Sequence, residues 1–174
     1  AALITTLAKL LFHHGTAENN QPAAIMEAVN NDFRSIFGAR AFMTAMCVAL
    51  DGATGQASVV GAGHPPLLVA RAGGRTESIA SSAPPLGLLE RSEFIAADIH
   101  LEPGDAFLLY TDGIYGSGHE ENPRLSSQRL AEMLQPLAEN AQALLSRVVD
   151  RPGLKANGKA PPDDVAAIAV RRSH

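Results

Sequence analysis

The run Leu108-Leu109-Tyr110-Thr111-Asp112-Gly113 constrains this chain more than any other segment. Its apolar and aromatic residues predict a buried strand that carries one carboxylate to its own end, where glycine lets the backbone turn sharply and a ligand approach. A second phrase of the same kind lies near the C-terminus. There Pro161-Pro162-Asp163-Asp164 precedes the apolar run Val165–Val170, so an acidic pair stands at the mouth of another predicted strand. Two strand-end carboxylates far apart in sequence point to a hard divalent cation. Magnesium and manganese favour oxygen ligands, and magnesium takes one or two carboxylates while keeping several waters. Turn chemistry is the alternative at each position, because Asp-Gly is a common turn dipeptide and Pro-Pro-Asp-Asp is loop-like.

Around these phrases the periodicity predicts an α+β order. Leu3, Ile4, Leu7, Leu10 and Leu11 recur at helical spacing, with Gly15 expected to cap that helix. A second helix is expected from Pro22, carrying Ile25, Val29, Phe33 and Ile36-Phe37 on one face before Gly38. Strands are predicted over Ala41–Leu50 and Gln56–Ala62 around the turn Asp51–Gly55, then over Leu67–Arg71 and Thr76–Ala80 around Ala72-Gly73-Gly74. Glu93–Leu101 and Ala106–Thr111 follow as strands joined by the turn Glu102-Pro103-Gly104-Asp105. A mobile surface loop is expected between Gly113 and Arg124. Ser126–Leu137 and Ala141–Val149 read as helices, Pro152–Pro162 as a loop of about eleven residues, and Val165–Val170 as the last strand.

Composition bounds the function classes. A chain of 174 residues with 46% hydrophobic content supports one domain with a real core. A net charge of −4 and no basic cluster longer than Arg171-Arg172 argue against nucleic acid as a partner. No apolar stretch approaches the ~20 residues that span a bilayer, so a membrane is not an expected partner and a cytoplasmic location is. Cys47, the single cysteine, lies in an apolar run and is expected to be an inert core thiol.

Three further phrases stand in order before the aspartates: Gly61-Ala62-Gly63-His64-Pro65-Pro66, Pro84-Pro85-Leu86-Gly87-Leu88 and Leu101-Glu102-Pro103-Gly104-Asp105. Together with Tyr110–Gly113 and Asp163-Asp164, this series resembles the SpoIIE/RsbU-like branch of the metal-dependent, type 2C serine/threonine protein phosphatases. The resemblance covers essentially the whole chain, and residues 1–174 are expected to form a single phosphatase-type domain. It implies an α-β-β-α sandwich of two antiparallel sheets flanked by helices. It implies hydrolysis of phosphoserine or phosphothreonine by metal-activated water, with two manganese or magnesium ions. Asp112 and Asp163 are the implied catalytic ligands, with Gly113 and Asp164 completing the metal group. The implied partner is a phosphorylated anti-sigma-factor antagonist, and an upstream receiver or sensor domain is expected.

The departures from that family are specific. Two acidic motifs that normally open the domain, a Gly-Asp phrase and an Asp followed by Gly-His-Gly, do not occur here, and Ala1-Ala2-Leu3-Ile4 resembles the helix that follows the second. The expectation is an N-terminally truncated piece, the C-terminal majority of the domain, with little activity by itself. Gly116 stands where relatives usually place Glu, and Ala166 where Thr is common. These departures keep open a non-catalytic module that binds a phosphoprotein, or one that self-associates as a homodimer. His64 reads either as a phosphate-facing group or as a turn histidine between Gly63 and Pro65. Arg124 is placed by its nearness to the Asp112 loop to meet a phosphorylated substrate.

Overall fold

Pro22 presets the first turn of a helix whose apolar residues repeat every three or four positions, and this periodicity organises the first part of the fold. The computed structural model describes residues 2–18, 20–116, 124–150, 154 and 163–173, which fall into two compact units. One comprises residues 1–64 and 80–100, the other residues 65–79 and 101–174. The expected loop at 117–123, with Glu120 and Glu121, and most of the expected loop Pro152–Pro162 lie outside the described residues.

In the first unit, helix α1 (Ala2–Glu18) packs on α2 (Pro22–Phe37). Gly15 does not cap α1. It is buried inside the helix, where an added Cβ would sit 3.4 Å from Ile25 Cγ2 and 3.7 Å from Val29 Cγ2, at ordinary van der Waals contact. The predicted α2 boundaries hold, with Ile25, Met26, Val29 and Phe33 buried, but Ile36 faces solvent. Strands β1 (Ala45–Leu50), β2 (Gln56–Ala62) and β5 (Ala97–His100) form an antiparallel sheet in the order β1-β2-β5. β1 starts later than Ala41 because Gly38–Arg40 is a 3-10 turn and Met43 makes only an isolated bridge to Leu86. β5 likewise starts later than Glu93, since the Ile95 N–H goes to Ser82 Oγ instead of to a neighbouring strand. The Pro85–Leu89 loop is gripped by α2. The buried Asn30 accepts the Gly87 N–H at 2.9 Å through Oδ1, and Arg34 Nη1 donates to the carbonyls of Gly87 and Leu88. The half-buried Cys47 lies on β1, its thiol pKa pushed up by burial, which suits a core thiol.

In the second unit, β3 (Leu67–Ala70), β4 (Thr76–Ile79), β6 (Ala106–Tyr110) and β7 (Ala167–Arg171) form an antiparallel sheet in the order β4-β3-β6-β7. β3 is buried along its length and β6 nearly so, as their continuous apolar runs require. β7 is less buried than its sequence implies: Ile168 is 58% exposed. Helix α3 (Ser127–Met133) is shorter than predicted and is capped by Ser126, whose hydroxyl accepts the Arg129 N–H; α4 (Ala141–Val149) matches its prediction and is capped by Asn140. Their Leu130, Leu144 and Val148 pack with Leu68, Leu108 and Tyr110 in one core.

A charged cluster closes the β4 end of this unit. Asp105, 3% exposed, accepts the Ala72 N–H at 2.8 Å, the Glu102 N–H at 3.0 Å and Arg71 Nη1 at 2.9 Å. Arg71 also donates to Glu77 at 2.7 Å, and Glu77 pairs with Arg75. Burial pushes the Asp105 carboxyl up, but these three donors outweigh it and hold it below the ordinary carboxylate range.

Candidate metal centre

The antiparallel register decides which residues meet at the end of β6. Ala106 faces Arg171 and Tyr110 faces Ala167, so three further steps along each strand set Gly113 against Asp164. Thr111 carries the pairing beyond the last regular rung. Its N–H donates to the Ala166 carbonyl at 2.9 Å, its Oγ1 accepts the Ala166 N–H at 2.9 Å, and its hydroxyl donates to the Asp164 carbonyl at 2.9 Å. Ala166 contributes here only through its backbone.

Asp112 begins a 3-10 turn over Asp112–Tyr115. At Gly113 that turn presses on the Asp163-Asp164 backbone: an added Cβ would lie 2.4 Å from the Asp164 carbonyl oxygen, 2.9 Å from its carbon and 3.2 Å from the Asp163 carbonyl oxygen. Only glycine permits this approach. Gly116 ends the turn at φ +76°, a conformation that favours glycine, and its N–H returns to the Gly113 carbonyl at 3.1 Å.

Asp112, Gly113, Asp163 and Asp164 are therefore brought to one rim of the second unit, the three carboxylates exposed and Gly113 buried between the two segments. Asp163 Oδ1 accepts the Asp164 N–H at 2.8 Å, which turns the carboxylate against its own loop and leaves Oδ2 without a hydrogen bond among the described residues. Among the described residues no three or more His, Cys, Asp or Glu side chains converge on one point. A donor set made entirely of oxygen, water-accessible and few in carboxylates, fits magnesium or manganese.

His64 belongs to the first unit, where its N–H donates to Ser81 Oγ at 3.0 Å and its carbonyl accepts the Ser81 hydroxyl at 2.8 Å. Gly63 precedes it at φ +61°, a conformation that favours glycine. Arg124, in the second unit and exposed, lies with its guanidinium carbon 5.7 Å from the centroid of the Tyr115 ring. Two contributors escaped the sequence reading. Thr111 is the clamp between the two acidic segments, and its signal was a hydroxyl directly before a strand-end acid. Tyr110 and Tyr115 are coupled hydroxyl to hydroxyl at 3.1 Å, five residues apart across a turn whose shape the sequence does not display.

The profile of Stage II sporulation protein E (SpoIIE) matches residues 1–173. The chain belongs to the SpoIIE family. Within it, this SpoIIE-family chain is similar to the phosphoserine phosphatase RsbP of Bacillus subtilis strain 168, 30% identical over 118 residues that cover 66% of this chain and 29% of RsbP. It is similar to protein IcfG of Synechocystis, 26% identical over 132 residues covering 76% of this chain and 21% of IcfG. The chain thus spans less than a third of either relative. Among solved structures it resembles the SiaA-PP2C domain of Pseudomonas aeruginosa at a TM-score of 0.78 and 26% identity, over 98% of this chain and 69% of that one. The fold is that of PP2C phosphatase domains, as the order of phrases in the sequence implied.

Proposed function

We propose that residues 1–174 act as one phosphatase-type domain of a cytoplasmic signalling protein that hydrolyses phosphoserine or phosphothreonine in a protein substrate. The observation that carries this reading is the close approach of the Gly113 backbone to the Asp163 and Asp164 carbonyls. The likeness to RsbP, a phosphoserine phosphatase, supports the reaction class. A phosphorylated anti-sigma-factor antagonist is the proposed substrate, and a receiver or sensor region is the proposed regulator.

Asp112 and Asp163 are the proposed catalytic ligands for manganese or magnesium, with Asp164 and the Gly113 backbone in support. What divalent ions supply at such a site is an activated water and neutralisation of phosphoryl charge. The chain's own part is positional. Thr111 fixes the distance between the two acidic segments, Gly113 lets them touch, and the Asp164 N–H donating to Asp163 Oδ1 limits that carboxylate's freedom. Because the cluster described is small, the complete protein is the form to assay. In it, Asp112→Asn and Asp163→Asn each lower manganese-dependent hydrolysis of an aryl phosphate by at least about 100-fold, as expected for a charge acting on a phosphoryl transition state, while circular dichroism stays unchanged. Undiminished rates in both variants refute the assignment.

A further inference from the structure

We propose that Arg124, laid on the Tyr115 ring by a pair of tyrosines, receives the phosphoryl oxygens of the substrate beside Asp112. The proposal rests on the phosphatase reading of the Asp112 rim and adds to it the residue that recognises phosphate and the residue that positions it.

The 3-10 turn sets the geometry. With three residues per turn, Asp112 and Tyr115 stand on the same side of it, about 6 Å apart along the axis. Tyr115 is held from behind. Its hydroxyl meets that of Tyr110 at 3.1 Å, and the two rings make an edge-to-face contact at 5.8 Å and 82°. Tyr110 is itself 2% exposed in β6. The other face of the arrangement returns through the backbone: the Leu125 N–H donates to the Tyr115 carbonyl at 2.9 Å, which fixes Arg124 next to the turn. Its guanidinium then lies over the Tyr115 ring at 5.7 Å.

Arg71, Arg75 and Arg129 are each paired with a carboxylate, whereas Arg124 is exposed and has no carboxylate partner among the described residues. A guanidinium held by a ring face keeps its in-plane N–H fork free, and that fork matches two phosphate oxygens. A cation on a rigid support one helical turn from a candidate metal ligand is the arrangement that orients a phosphoryl group.

Inorganic phosphate tests the proposal in the full 174-residue chain in magnesium buffer. The chain has two tyrosines and no tryptophan, so phosphate binding changes an emission that comes only from Tyr110 and Tyr115. By calorimetry, Arg124→Ala weakens phosphate binding about tenfold, the size of one charge-assisted contact, and Arg124→Lys weakens it less. Tyr115→Leu weakens it about threefold, and Tyr115→Phe, which keeps the ring, restores most of that loss. In turnover assays of the complete protein these changes raise KM more than they lower kcat. Equal phosphate affinity in the wild type and Arg124→Ala overturns the proposal. The two readings separate cleanly: if Asp112→Asn abolishes turnover while Arg124→Ala binds phosphate normally, Arg124 alone is excluded. Retained turnover in Asp112→Asn removes the metal rim, and the proposal with it.

Discussion

Gly113 shows how much can depend on one missing carbon. The Asp164 carbonyl oxygen would stand 2.4 Å from a Cβ there, and the obstacle is backbone, which cannot rotate away. Gly113→Ala therefore pushes the 163–164 segment off the β6 end. The expected cost is about 1 to 3 kcal/mol of stability in urea unfolding, the usual range for overpacking a tight contact, together with loss of manganese-dependent turnover in the complete protein. An alanine variant with wild-type midpoint and rate is incompatible with the close approach. Asp112 and Gly113 were legible in the sequence, because an apolar run ending in acid and glycine has few other uses. The role of Thr111 was not, because its partners lie more than fifty residues away.

At the scale of elements, the cluster of Arg71, Glu77 and Asp105 joins the end of β3, strand β4 and the turn before β6. Hydrogen bonding from Arg71 is the main cause that holds the Glu77 carboxyl below its ordinary range, and three donors do the same for Asp105 against its burial. Both pKa values are lower in the folded than in the unfolded chain. Their contribution is therefore full above the unfolded carboxylate range, near pH 4, and is lost as pH falls through the folded values. The melting temperature should fall with acidification below about pH 4, and Asp105→Asn should flatten that dependence while lowering stability at pH 7. A variant whose acid limb matches the wild type removes Asp105 from the linkage. The elements themselves were readable where turn chemistry marked both ends, as for β2 between Gly55 and Gly63. They were misjudged where a partner strand set the boundary, as at β1, β5 and β7, and where α1 ran on past a glycine that looked like a cap.

For the whole molecule, membership of the SpoIIE family and the PP2C fold accounts for the order of phrases along the chain. Among the described residues no helix is long and apolar enough to cross a membrane. The proposed ions bind the folded state, so they must also stabilise it by linkage. At a magnesium or manganese concentration 100 times Kd the gain is about 2.7 kcal/mol, or roughly 5 to 11 °C in Tm for a chain of this size. Chelation with EDTA reverses the shift, and Asp112→Asn abolishes it. A Tm that ignores both ions shows that the aspartates of this rim do not hold them.

The chain order alone determined that β6 would be buried, that it would end in a carboxylate and a glycine, and that a second acidic pair would precede an apolar strand. Those are properties of residues adjacent in the polymer, set by hydrophobic runs and by turn-forming residues. Tertiary structure decided which acids share a rim, where α1 ends, and how Tyr110, Tyr115 and Arg124 pack. Each of these depends on the register or packing of distant segments, a property of the folded molecule that local patterning does not encode.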